Sequence, residues 1–276
     1  MPPRPWASTP SLRNGRCAME SGWPSGRPDW RAPSIERKDI QRQGDGMQVR
    51  MGLLKKKPEA SPAEFRAYWR NHHAGLASRV PNLQCYWQNA VTERLQRGID
   101  FARGPWDFDG FSQLWLDSDA ASAGFRNGDL AAELIQDENR FLGDLHVVTA
   151  EQRVVIPVPD LAVRARLLKR ISILRRKTGL SEEDFRREWI FHGELVKKMP
   201  GVSGYRQNVV VERERVKGVL GDYDDLPIDG IVELWFEDTE KLAAAFASAP
   251  GQETMQHAKT FLEEITAYVV EEDRVK

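Results

Sequence analysis

Cysteine is nearly missing: Cys17 and Cys85 are the only two in 276 residues. That excludes a disulfide framework and a paired-cysteine zinc site, and it fits a reducing compartment. No run approaches the ~20 apolar residues needed to cross a bilayer, and the N-terminal residues lack the apolar stretch of a signal peptide. A cytoplasmic location with no membrane partner is therefore expected. Charge of one sign is missing as well, 40 basic residues standing against 41 acidic. No long-range field holds a nucleic acid, and none is expected as a partner. There is no glycine-rich phosphate loop, paired-histidine metal helix or serine elbow, so nucleotide, metal and acyl-enzyme chemistry are not expected, and neither is a cofactor. Asp222, Asp224 and Asp225 lack the glycine and distal glutamate of a calcium loop and read as a flexible acidic loop.

Residues 1–46 differ from the rest. They hold seven Pro, five Gly, eight basic and five acidic residues with no apolar period, which predicts a disordered extension. It is either a flexible arm or upstream sequence from an early start, since Met47 or Met51 would begin directly on the first strand; the second explanation is favoured.

The remainder of the chain is a tandem repeat. Leu54-Lys55-Lys56-Lys57 and Ser61-Pro62-Ala63-Glu64-Phe65 return as Leu174-Arg175-Arg176-Lys177 and Ser181-Glu182-Glu183-Asp184-Phe185, 120 residues on. His73, Leu76, Pro81, Tyr86, Gln88 and Asn89 return as His192, Leu195, Pro200, Tyr205, Gln207 and Asn208, at 119. Asp109-Gly110 with Leu114-Trp115 becomes Asp229-Gly230 with Leu234-Trp235. The repeats are placed at 47–158 and 163–276, joined through Pro157-Val158-Pro159-Asp160.

Each copy predicts the same elements. Val49, Met51 and Leu53 alternate with Arg50, Gly52 and Leu54 as a short strand, repeated around Ile171 and Ile173. Ser61 with Pro62 and Glu64, or Ser181 with Asp184, starts a helix that Pro81 or Pro200 stops. Strands follow over 86–91 and 205–211, then over 111–116 and 231–236. Second helical regions are expected over 119–145 and 239–265, interrupted near Gly128 and Pro250-Gly251, with last strands over 146–156 and 266–271. Strand, helix, strand, strand, helix, strand is the ferredoxin-like βαββαβ order, which puts both helices on one face of the sheet. The fold class is therefore α+β: two ferredoxin-like repeats whose bare apolar sheet faces pack on each other, sheet to sheet, like a covalent dimer.

These motifs resemble the EthD-type family, from about Val49 to Val155 and again from about Leu168 to Val270. The resemblance implies a dimeric α+β barrel, a fold usually made by two chains and here formed within one, as an intramolecular dimeric α+β barrel with a cavity between sheet and helices in each half. It also implies a small-molecule ligand. Relatives include a companion protein of an ether-degrading monooxygenase system, and similar folds carry out cofactor-free isomerisation, decarboxylation, dehydration and oxygenation.

His73 and His192 are the first candidates for chemistry, because an inward histidine on an amphipathic helix can trade protons near neutral pH. A packing role is the competing explanation. Counted from the tryptophan His192 matches His72, but counted from the proline it matches His73, and the second count is preferred. Glu233, mid-strand between Ile231 and Trp235, is either an acid/base partner or orienting group for His192 with a raised pKa, or a salt-bridge residue. Gln113 stands in its place in the first half. Trp69, Tyr86, Trp189 and Tyr205 are candidate pocket walls, and Asn89, Gln113 and Asn208 candidate hydrogen-bonding groups toward substrate. The leading expectation is a cofactor-independent lyase or isomerase for a small hydrophobic or aromatic metabolite. A non-catalytic ligand carrier of a monooxygenase pathway is the alternative, and an oxygenase of the same fold is a third. Whether two tandem units pair as a homodimer is left open.

Overall fold

The computed structural model describes residues 47–116 and 128–276. The N-terminal extension and the start of the second helical region expected from Asp119 lie outside the described residues.

The first repeat begins with β1 (Met47–Lys56), followed by α1 (Pro62–Tyr68), which runs through a π-helical turn (Trp69–His73) into α2 (Ala74–Ala77). Then come β2 (Leu83–Glu93), β3 (Gly110–Leu116), α3 (Asp129–Phe141) and β4 (Leu142–Ile156). After the proline-rich connection and a one-turn helix α4 (Leu161–Arg164), the second repeat gives β5 (Leu168–Arg176), α5 (Glu182–Val196), β6 (Gly204–Val216) and a short hairpin strand β7 (Val219–Gly221). It ends with β8 (Gly230–Phe236), α6 (Thr239–Ala247), α7 (Ala249–Phe261) and β9 (Leu262–Arg274).

Both first helices start where the caps place them. Ser61 Oγ accepts from Glu64 N at 3.2 Å while the Glu64 carboxylate accepts from Ser61 N at 2.9 Å, and Ser181 Oγ accepts from Asp184 N at 3.0 Å. Each cap stabilises its helix end by about 1 kcal/mol. The last helices end earlier than expected, at Phe141 and Phe261, because β4 and β9 already pair with β1 and β5 from Leu142 and Leu262 onward. A ladder partner overrides the helix propensity of these residues.

The sheet order is β4-β1-β3-β2-β9-β5-β8-β6, and β6 pairs back onto β4. Each half has the ferredoxin-like order, and the two bare faces do face each other. Their edges also fuse: β2 pairs antiparallel with β9 and β4 with β6. Eight strands thus close as one barrel, which leaves neither repeat a free sheet edge at these seams.

Period-two alternation sorts the side chains. Val49, Met51, Phe111, Trp115, Ile171 and Ile231 belong to one interior core that draws on both repeats. The neighbours between them face outward, onto the helices. A separate cluster around Phe185, Trp189 and Leu242 forms the helix layer of the second half.

The connections between the second and third strands of each repeat are exchanged. From the first repeat, Gln96 Nε2 donates to Ile265 O at 2.7 Å, and Gly104 N donates to Thr266 Oγ1 at 2.9 Å. In the other direction, Lys217 Nζ reaches the Glu138 carboxylate at 2.6 Å and Glu214 pairs with Arg50. Each helix layer is therefore roofed by the sister repeat.

Candidate functional site

A cavity lies between the outer sheet face and the helices in each half. The first is lined by Arg50, His73, Tyr86, Ser112, Glu138 and Lys217, among others. The second is more apolar, with Trp189, Val196, Met199, Phe246 and Met255 around Arg170 and His192.

The extra residue between tryptophan and histidine in the first half is absorbed by the π-helical turn Trp69–His73. Such turns insert one residue without breaking the helix. His73 consequently occupies the place that His192 holds, as the count from the proline predicts. Both rings meet position-equivalent residues of the facing helix, Asp137 and His257. His72 lies outside the cavity, half exposed, with Nε2 3.3 Å from Asp137.

In the first half, His73 Nδ1 is 2.8 Å from Asp137, and the Tyr68 hydroxyl donates to the same carboxylate at 2.6 Å. Burial works against ionisation of Asp137, but the hydrogen bonds from His73 and Tyr68 outweigh it and hold the carboxyl below its ordinary range. An ionised Asp137 only accepts, so His73 Nδ1 carries the hydrogen of this bond.

The second half rearranges the same positions. His192 Nδ1 is 3.3 Å from His257 Nδ1, and His257 Nε2 is 3.3 Å from Glu188, which stands where the first half has Tyr68. The carboxylate has moved to the other helix, one residue further from the inner histidine. Burial first, and the neighbouring His257 second, push the His192 imidazole down to about 3, so it is neutral at physiological pH.

Glu233 does not orient His192. Val232 and Leu234 line the second cavity, so Glu233 between them projects from the opposite strand face into the barrel interior. There its carboxylate lies 2.7 Å from Lys169 Nζ and accepts from Asn208 Nδ2 at 3.0 Å. Its pKa is not raised: burial alone would raise it, but Lys169 and then Arg206 bring it down to about 2. Asn89, Gln113 and Asn208 share that interior rather than the cavities. Lys169 Nζ donates to Asn89 at 2.8 Å and to Gln113 at 3.3 Å, and Asn208 also donates to Ile231 O at 2.9 Å. Trp189 and Tyr205 line the second cavity and Tyr86 the first. Trp69 packs against Phe65 and lines a separate cleft beside Gln88 rather than either cavity.

Most of the repeated motif is structural. Gln88 Nε2 donates to Trp69 O at 2.9 Å and Gln207 Nε2 to Trp189 O at 2.6 Å, tying helix to strand. Asp109 and Asp229 accept from Lys56 N and Arg176 N at 3.0 and 2.7 Å. A Cβ on Gly110 would lie 2.6 Å from the Trp69 ring, and one on Gly230 2.3 Å from Trp189, so these positions admit only glycine. Among the described residues no cluster of His, Cys, Asp and Glu is arranged to hold a metal ion, and no helix is long and apolar enough to cross a membrane.

The model of the EthD domain matches residues 57–144 and again residues 177–264. The chain belongs to the EthD family. The 4-carboxymethyl-4-methylbutenolide mutase of Pseudomonas reinekei is 27% identical over 107 residues, covering 38% of this chain and 98% of the mutase. Among solved structures, an anthrone oxidase-like protein aligns with a TM-score of 0.53 at 7% identity, covering 83% of this chain and 93% of that one. An EthD family protein of Bacillus halodurans aligns at 18% identity and a TM-score of 0.30 over 37% of this chain and 95% of its own. The two family-model matches fall one in each half of the barrel. Sequence reasoning missed Asp137, His257, Arg170 and Lys169. The first two differ between repeats and leave no self-match. Arg50 and Arg170 do recur at an offset of 120, a signal hidden by reading their strands as half solvated.

Proposed function

We propose that this tandem EthD protein is a cofactor-independent isomerase or lyase acting on a small hydrophobic or aromatic metabolite, with His73 as the proton-transfer group. The supporting observation is the Asp137–His73 pair at the wall of the first cavity, 2.8 Å apart. A carboxylate on Nδ1 fixes the ring tautomer, leaves Nε2 as base, and stabilises the imidazolium formed when a proton is taken. Returning that proton at another carbon is an isomerisation; expelling a leaving group instead is an elimination. The likeness to a mutase over nearly its whole length supports this class.

The test uses that relative's named compound, 4-carboxymethyl-4-methylbutenolide, incubated with the protein in D₂O and followed by NMR. Deuterium incorporation or rearrangement is expected, slowed about 100-fold by His73→Ala and by Asp137→Asn. An unchanged rate in His73→Ala would refute the role given to that residue. A bound but chemically unaltered compound would instead favour a ligand carrier, the reading that fits the second cavity, where the inner imidazole touches no carboxylate.

A further inference from the structure

The second cavity holds a buried charge that nothing among the described residues balances. Arg170 is 3% exposed. Its Nε donates to Ser172 Oγ at 3.3 Å, its Nη1 donates to Arg97 O at 2.6 Å, and its guanidinium carbon lies 5.1 Å from the centre of the Phe246 ring. All three partners are neutral. Among the described residues no carboxylate comes within ion-pairing distance of Arg170, and Nη2 makes no hydrogen bond.

The sister repeat shows what balance looks like. Arg50, at the equivalent strand position, is bound by both oxygens of Glu214, with the Nη2 contact at 2.8 Å. Lys217 beside it is bound by Glu138 at 2.6 Å. The positions equivalent to Glu214, Lys217 and Glu138 are Leu95, Gly98 and Ala258. The second half has the arginine but, at these three positions, none of the charges that neutralise or compete with it in the first. An unpaired guanidinium in an apolar enclosure is strongly unfavourable, so its retention calls for an anion from outside the chain.

We infer that the second cavity binds the carboxylate of a small apolar acid, with Arg170 as counter-charge and the Trp189, Met199 and Met255 walls holding its hydrocarbon part. Guanidinium and carboxylate match in charge and in planar geometry, and the low-dielectric walls strengthen the pair. Burial lowers Arg170 to about 10, which leaves it charged at neutral pH. The site uses neither His73 nor Asp137, so it stands or falls separately from the proton-transfer reading.

The probes are 2-naphthoate and its uncharged counterpart 2-naphthamide, titrated into full-length protein carrying ¹³C-methyl methionine. Met199 and Met255 line the second cavity, and no methionine lines the first. The acid should shift these two methyl signals saturably and bind at least tenfold more tightly than the amide. Arg170→Gln should bring the acid down to the affinity of the amide, and Arg170→Lys should recover part of the difference. Equal affinity of acid and amide in the wild type would overturn the inference, even if Arg170→Gln fails to fold. So would wild-type affinity for the acid in a folded Arg170→Gln, or binding that leaves both methyl signals in place.

Discussion

The two cavities share walls and differ in charge. In each, a strand arginine, an inward histidine, a tyrosine and a tryptophan-bearing helix recur at equivalent positions. The first cavity is crossed by the Arg50–Glu214 and Lys217–Glu138 pairs and has a carboxylate directly on its histidine. The second has neither pair and places His257 where that carboxylate would be. The difference shows how duplicated cavities diverge: the repeated residues hold helix to sheet and keep a histidine and an arginine in each cavity, while the partners of those two groups differ between the copies.

The largest test of this comparison separates the halves. Residues 47–158 alone would expose the interior faces of four strands and lose the roof supplied by Glu214 and Lys217. We expect no folded monomer in analytical ultracentrifugation, only self-association or an unfolded chain, because the barrel interior is shared by both repeats. A stable monomer with native circular dichroism would refute the exchanged-roof architecture.

Next in size are substitutions at the two arginine sites. Glu214→Ala withdraws the carboxylate from buried Arg50 and should cost about 3 kcal/mol or more in urea unfolding. Arg170→Met, at the equivalent place, should be neutral or stabilising without ligand, since an unbalanced charge is replaced by an apolar chain of similar length. Equal destabilisation by the two changes would mean that the cavities are electrostatically alike after all.

The fold was legible in the sequence because repetition, caps and alternation are local signals. Ser61 and Ser181 marked the helix starts, and the count from Pro81 and Pro200 identified His73 as the counterpart of His192. The site was legible only in part. Glu233 drew attention as a carboxylate in an apolar strand, but one strand cannot reveal which of two buried faces it joins, and its partner Lys169 lies on another strand. Asp137 and His257 were overlooked for a different reason: the two copies disagree at this position, so the repeat gives no match, and only the packing shows that each touches a buried ring. The exchange of roofs was also hidden, since a loop's composition does not say which repeat it covers.

A smaller effect is expected from the neutral His192. An unfolded histidine titrates near 6.5 and His192 near 3, so between these values the unfolded chain binds a proton that the folded chain does not. His192 therefore adds no penalty above the unfolded value and lowers stability progressively as pH falls from 6.5 toward 3. The slope is about 1.4 kcal/mol per pH unit, or roughly 2 kcal/mol by pH 5. His192→Gln should flatten the change in urea midpoint between pH 7 and pH 5 relative to the wild type. Identical losses in both proteins would show that His192 is protonated in the folded state, and the contrast with the carboxylate-bound His73 would lose its basis.

The smallest effect is expected at Glu233, and it decides between the two faces of the sheet. Glu233 shares Lys169 with Glu272, whose carboxylate lies 2.6 Å from the same ammonium group. Glu233→Gln keeps an oxygen for Asn208 and leaves Lys169 with a counter-charge, so the loss should be about 1 kcal/mol, well short of that for an abandoned buried charge. Because the side chain projects away from both cavities, the variant should retain wild-type affinity for 2-naphthoate and the wild-type rate of deuterium exchange. Loss of either with the fold intact would place a working residue inside the barrel, and the division of labour between the outer cavities would have to be redrawn around the Lys169 network.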